Sequence, residues 1–269
     1  MEKHTLAAHL AFQPKQEDFS ESEWETRVKL AACYRLLDLY GMTDMIYNHA
    51  SARAPGPEEH FLINPFGLRY AEITASTLLK VDVSGREIFN PWKDYKINKA
   101  GYVIHSAIHE ARPDIGCVIH THTPYGMAVA ALKCGLLPIT QTAMRFGTVA
   151  YHDYEGVVVD TQEQARLLEN LGNAEAMILR NHGLLTVGTT IEQAFNNMYR
   201  LERSCKAQVL AMSTGGELID LPESVIKRTN NQLSLQPSAD SPGKQKPYGI
   251  LEWDAMLRWL DSIDPSYRT

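Results

Sequence analysis

The chain has 269 residues, 44% of them hydrophobic and 22% charged, with a formal net charge of −6. That length supports a full hydrophobic core in one large domain or two small ones. The acidic balance offers no electrostatic footprint for nucleic acid and no apolar run reaches the length of a membrane span, so neither is expected as a partner. Cys33, Cys117, Cys134 and Cys205 lack C-x-x-C spacing and sit among apolar residues, which predicts four buried thiols in a reducing compartment. No signal-like apolar core follows Met1-Glu2-Lys3-His4, so a cytoplasmic location is expected.

Residues 1–18 carry few helix or strand signals and are expected to form an arm over the surface. Ser20 or Ser22 caps a helix in which Trp24, Val28, Ala31, Leu36 and Leu37 recur near helical spacing up to Gly41. Three short strands follow, 48–53, 60–63 and 79–83, punctuated by Pro-Gly and Ser-Gly turns. A helix from Tyr102 to Arg112 stops before Pro113, and the apolar run Cys117-Val118-Ile119 reads as a buried strand. Pro124 opens a small-residue helix to Lys133. An amphipathic helix over Thr161–Leu171 precedes a strand from Ala176, and Leu184–Gly188 reads as its hairpin return. Thr190 caps a long helix with Ile191, Ala194, Phe195, Met198, Leu201 and Cys205 on one face. Residues 214–246, rich in Ser, Pro, Gly and Lys, are expected to be a loose connector. The closing helix carries Trp253, Met256, Leu257 and Leu260 and needs a docking surface, a neighbouring subunit being one candidate. Hairpin strands mixed with helices predict an α/β domain with a largely antiparallel sheet.

The informative motif is His120-Thr121-His122 at the end of an apolar run, joined 60 residues later by His182 in Arg180-Asn181-His182-Gly183. Alternate residues of a strand share a face, so His120 and His122 project together. Three neutral imidazoles suit zinc or another divalent first-row metal and leave the open position that a catalytic ion requires. The plainer reading is three hydrogen-bonded polar residues at strand ends.

Eight segments together resemble the class II aldolase/adducin superfamily over roughly residues 20–215. They are Tyr47-Asn48-His49, Ile63–Gly67, Thr74-Ala75-Ser76, Ala111–Asp114, His120–Pro124, Lys133–Pro138, Ala150–Tyr154 and Arg180–Gly183, and they are nearest in detail to the adducin head and its bacterial relatives. The resemblance implies a three-layer α/β/α sandwich, zinc on His120, His122 and His182, and a homotetramer with active sites between subunits. It divides the chain into an arm (1–18), the superfamily domain (19–215) and a connector with a terminal helix (216–269). It also exposes a departure. The acid/base Glu of the sugar-phosphate aldolases falls on Gly101, and their phosphate-loop hydroxyl falls on Phe66. A group without a side chain transfers no proton, so phosphosugar cleavage in its usual form is not expected.

His105 lies one helical turn after Gly101 and is a candidate acid/base; His105 and His109, one turn apart, also make a possible ligand pair, and the plainer reading of each is a hydrogen-bonded core or surface histidine. Tyr125, just after the two ligands, either lines the pocket or packs in the core. Asn48 matches a substrate-loop position and equally suits a turn. Lys99 suits an anionic substrate or a solvated helix start, and Arg145 a carboxylate or a structural ion pair. Tyr151–Tyr154 reads as a surface hairpin with an aromatic cross-strand pair, and Arg180 as a structural partner for a carboxylate. The expectation is a zinc-dependent lyase, aldolase or decarboxylase, acting on a small hydroxy- or oxo-acid through an enolate. The alternative is a non-catalytic adducin-head-like interaction protein.

Overall fold

The computed structural model describes residues 6–156, 161–233 and 249–269. In chain order its elements are α1 (Glu21–Leu39), β1 (His49–Arg53), β2 (His60–Ile63), β3 (Leu79–Asp82), β4 (Glu87–Phe89), α2 (Lys99–Ala111), β5 (Cys117–Thr121) and α3 (Pro124–Ala130). Then come α4 (Gln141–Met144), β6 (Ala150–His152), α5 (Thr161–Leu171), β7 (Ala176–Leu179), β8 (Gly183–Gly188), α6 (Ile191–Ser213), α7 (Glu223–Leu233) and α8 (Ile250–Ile263). The eight strands form one sheet in the order β4-β3-β2-β1-β5-β8-β7-β6. Every pairing is antiparallel except the edge pair β6–β7.

Period-two alternation sends each central strand's side chains to two different cores. Cys117 and Ile119 of β5, with Ala176 and Ile178 of β7, join the larger core beneath α1 and α6. Val118, Met177 and Leu179 join a second core with Ile104 and Ile108 of α2 and Leu167 and Leu171 of α5. The sheet is therefore the middle of three layers, as the alternation and the resemblance predict. His120 shares Val118's face and points to the α2 side. Thr121 points to α6, where its hydroxyl meets Met198 Sδ at 3.2 Å.

Side-chain caps set the helix starts by accepting otherwise unpaired backbone N–H groups. Ser20 accepts from Glu23, Asn98 from Gly101 and Thr190 from Gln193. Five expectations are corrected. The 214–246 connector contains a helix, α7, because Glu223–Leu233 is amphipathic enough to fold onto α4, where Asn230 Nδ2 donates to the Arg145 carbonyl; residues 234–246 lie outside the described ones. Cys134 is exposed, whereas the other three cysteines are buried. Tyr151 belongs to the parallel edge strand β6, not a hairpin, and Arg180 stacks over its ring at 4.2 Å while donating to the Leu132 carbonyl instead of a carboxylate.

The fifth concerns α8, which docks on its own chain. Trp253 is buried with its ring 5.6 Å from that of Phe195, and Tyr40 Oη lies 2.9 Å from Met256 Sδ. The apolar stripe is covered by α1 and α6 of the same chain. Among the described residues no helix is long and apolar enough to cross a membrane.

Candidate metal centre

The site forms at one end of the sheet, where β5 ends beside the β7–β8 turn, β8 lying between β5 and β7. His120 is the fourth residue of β5, and its Nδ1 lies 2.9 Å from the Leu184 carbonyl on neighbouring β8. His122 is just past the strand. Its backbone N–H donates to Asn48 Oδ1 at 2.9 Å, and its Nδ1 lies 3.0 Å from Asp44 Oδ2. His182 sits in the tight turn from β7 to β8, which Asn181 makes by adopting φ +56°. Gly183 opens β8 against the end of β5, and a Cβ there would collide with the Thr121 carbonyl. That close approach brings His182 to the other two histidines.

His122 Nε2 stands 2.9 Å from His120 Nε2 and 3.0 Å from His182 Nε2. With Nδ1–H of His120 and His122 directed at acceptors, the Nε2 lone pairs of these two rings face inward at close range. Lone pairs so arranged repel unless a cation lies between them. Tetrahedral zinc on imidazole nitrogens sets N···N separations of about 3.3 Å, near those found, so the donor set fits a metal ion. Three ligand atoms from these residues gather within 4.8 Å. The Asp44 contact adds the outer carboxylate that commonly fixes the tautomer of a ligating histidine.

Burial and the neighbouring imidazoles hold His120 well below the usual histidine range and push His182 down to about 4. Both rings are thus held neutral near neutral pH, the form in which an imidazole can bind a metal. His120 is buried, whereas His122 and His182 are partly open on one side. Tyr154, largely exposed, lies on that side with its ring 6.3 Å from His182.

Of the other residues singled out from sequence, Asn48 lies at the centre. It takes φ +68°, and its buried Nδ2 has no hydrogen-bond partner among the described residues. His105 is fully buried and reaches the centre only through His49, whose Nδ1 is 2.7 Å from His105 Nε2. Lys99 is exposed at the first turn of α2. Tyr125 is half-buried with the Lys206 ammonium 5.3 Å from its ring centroid, on the α6 side. Arg145 donates to Asn197 Oδ1 at 2.8 Å in the seam between α4 and α6. Within one protomer the structure gathers Asn48 and the three histidines, and does not bring Lys99, Tyr125 or Arg145 into contact with them.

Sequence reasoning missed Asp44 and the role of His49. His49 lies opposite His120 across the β1–β5 ladder, with ring centroids 5.2 Å apart. One signal was present: His49 and Ser51 alternate with Ala50 and Ala52, so both face the Gly101-His105-His109 stripe of α2.

A mostly antiparallel sheet between helical layers, with three imidazoles gathered at neighbouring strand ends, defines a class II aldolase-type α/β domain. The chain belongs to the Class II Aldolase and Adducin N-terminal domain family, whose profile matches residues 28–209. It is 47% identical over 267 residues to a Pseudomonas aeruginosa protein named for the class 2 aldolases without a stated substrate, covering 98% of each chain. It is 42% identical over 257 residues to rat alpha-adducin, covering 93% of this chain but only 35% of the adducin. The fold matches the crystal structure of an aldolase II superfamily protein from Pseudomonas syringae at TM-score 0.87, with 48% identity over 94% of this chain and 99% of that one. An L-fuculose 1-phosphate aldolase from Glaciozyma antarctica superposes at TM-score 0.80, with 31% identity over 98% of this chain and 100% of that one.

Proposed function

We propose that this protein is a divalent-metal-dependent carbon–carbon lyase, an aldolase or decarboxylase, acting on a small hydroxy- or oxo-acid through an enolate. The observation that carries the reading is the convergence of His120, His122 and His182 through Nε2, with Nδ1 of His120 and His122 engaged elsewhere. His120, His122 and His182 would hold a zinc ion or another first-row divalent cation, which would supply Lewis acidity to a bound substrate. The protein's own groups do the positioning. Asn48 fixes the His122 backbone through Oδ1, and its unpartnered Nδ2 is the natural donor to a substrate oxygen. Asp44 holds the His122 ring and strengthens it as a ligand. The partly open side of His122 and His182 is where substrate enters.

Decarboxylation suits the site better than proton-initiated aldol cleavage, because Gly101 offers no carboxylate base and loss of CO₂ needs no prior deprotonation. The family resemblance supports a homotetramer with sites between subunits, and in such an assembly Arg145, Lys99 or Tyr125 of one protomer is a candidate contact for substrate in the next. It also supports 19–215 as the functional unit, with 1–18 as an arm and 216–269 as an appendage. The adducin likeness, extending over 93% of this chain, favours a second reading, a non-catalytic interaction domain. Elemental analysis of protein purified without chelators, followed by mass-spectrometric screening of the metal-loaded protein against small 2-oxo and hydroxy acids, separates the two. The lyase reading expects about one divalent ion per chain and turnover of at least one acid; a metal-free protein without turnover supports the interaction domain.

A further inference from the structure

Between β1 and α2 runs a buried chain of polar side chains that the three-histidine centre does not account for. His49 Nδ1 lies 2.7 Å from His105 Nε2, His105 Nδ1 lies 2.6 Å from Ser51 Oγ, and Ser51 Oγ lies 2.9 Å from His109 Nε2. All four residues are buried, none more than 5% exposed. At one end the His49 ring packs on His120 and its Nε2 stands over Gly101, in the space a side chain there would fill. At the other end His109 Nδ1 is buried without a hydrogen-bond partner among the described residues.

A neutral imidazole carries one N–H, so the chain runs in one of two directions. In the first, His109 Nδ1 is bare and the protons sit on His109 Nε2, on Ser51 Oγ toward His105 Nδ1, and on His105 Nε2 toward His49 Nδ1. His49 then carries its proton on Nε2. In the second, every proton is reversed, His109 Nδ1–H needs an acceptor, and His49 Nε2 is bare. The far end decides between them. A buried N–H without an acceptor is costlier and rarer than an unmet lone pair. The Ile115 carbonyl lies near enough to favour a proton on His109, but Nδ1 makes no hydrogen bond to it, and that carbonyl accepts Arg53 Nε–H at 3.4 Å. Arg53 also donates to the His109 carbonyl at 2.8 Å, so a fixed cation stands beside the ring and favours a lone pair over a proton on that side. The first direction leaves no N–H unmet at the closed far end and puts the free N–H on His49 Nε2, next to His120, where a bound substrate can supply the acceptor.

We propose that His49 is a further substrate-contacting residue that presents Nε2–H as an uncharged hydrogen-bond donor to an oxyanion of the substrate, and that His105, Ser51 and His109 are positioning residues holding it in that tautomer. This rests on the three-histidine centre being the substrate site, and it narrows the substrate to one with a carboxylate or enolate oxygen beside the metal-binding atoms. A preorganised neutral N–H aimed at developing negative charge stabilises it without introducing a competing charge.

The test uses full-length, zinc-loaded protein labelled with ¹⁵N-histidine. Long-range ¹H–¹⁵N correlation spectra report each ring's tautomer, with His49→Gln identifying the His49 signals. The expected result is His49 protonated at Nε2, a ¹⁵N–¹⁵N coupling through its hydrogen bond to His105, and a mixed or reversed tautomer in Ser51→Ala. Oxalate, a two-oxygen dianion, should shift the His49 Nε2–H signal and bind about tenfold more weakly to His49→Leu, the loss of one hydrogen bond to a charged group. Replacement by Gln, which retains a donor, should recover part of that affinity. His49 protonated at Nδ1 in the unaltered protein overturns the proposal even if Ser51→Ala fails to fold. Loss of zinc from His49→Leu overturns it too, because His49 would then support the ion instead of the substrate. A protein that binds no zinc refutes the metal reading and the substrate contact with it, while the tautomer spectrum still decides the chain.

Discussion

A Cβ on Gly101 would collide with His49 Nε2. The helix position that lacks a side chain and the strand imidazole that fills its space are two halves of one packing solution. Gly101→Ala should therefore displace His49. Overpacking a well-filled site costs about 1–3 kcal/mol, whereas replacing a helical glycine by alanine returns about 0.5–1 kcal/mol. Net destabilisation of about 1 kcal/mol is expected, read as a lower urea midpoint at unchanged slope. A more stable variant would mean that His49 moves aside at no cost.

His122→Ala should remove most of the bound metal, and Asp44→Asn should weaken zinc affinity about 10- to 100-fold, the usual effect of losing an outer carboxylate. Competition with a fluorescent chelator measures both. Unchanged affinity in His122→Ala would dismiss the three-histidine site.

Metal-free protein should lose stability in acid from the histidines alone. His109 is pushed down to about 3 by burial and by Arg53, while its unfolded-state value is the ordinary 6.5. Above 6.5 both states hold it neutral and it contributes no slope. As pH falls from 6.5 toward 3, the unfolded chain takes up a proton that the folded one refuses, so stability is lost at up to about 1.4 kcal/mol per pH unit for this residue. His49, His105, His120 and His182, depressed in the same direction, steepen the loss. Urea titrations at pH 7, 6 and 5 should show midpoints falling with increasing slope. A flat profile would contradict the neutral burial of these rings.

Cleavage of L-fuculose 1-phosphate should be absent or very weak, despite the 31% identity to a solved aldolase of that name. Gly101 carries no acid/base group, and Phe66 stands where the resemblance expects a phosphate-binding hydroxyl. A coupled assay for the released aldehyde gives the answer. Robust turnover would show that another residue, His49 being nearest to the vacated space, replaces the carboxylate.

Light scattering at micromolar concentration should find a homotetramer, and a monomer would refute the assembly. The role of α8 separates from that question. Because Trp253 is buried against Phe195 of its own chain, Trp253→Ala should destabilise the protomer by about 3–5 kcal/mol. An unchanged urea midpoint with altered assembly would instead place the helix's role between subunits.

Local patterns made much of the fold and part of the histidine cluster legible. Ser20, Thr190 and Pro124, the first residue of α3, marked helix starts because these signals depend on adjacent residues alone, and the β-branched run before His120 marked a buried strand. The His-Thr-His spacing placed two imidazoles on one face for the same reason. Tertiary structure decided what lies across strands. His49 meets His120 only through the β1–β5 register, and Asp44 reaches His122 only through a loop, since side chains 71 and 78 residues apart carry no mutual signal in sequence. The spacing from Gly101 makes His105 a candidate acid/base, but a helix stripe does not say which strand it packs on. Only the packed sheet puts His49 between that stripe and the centre, making His105 the residue behind the contact instead of the contact itself.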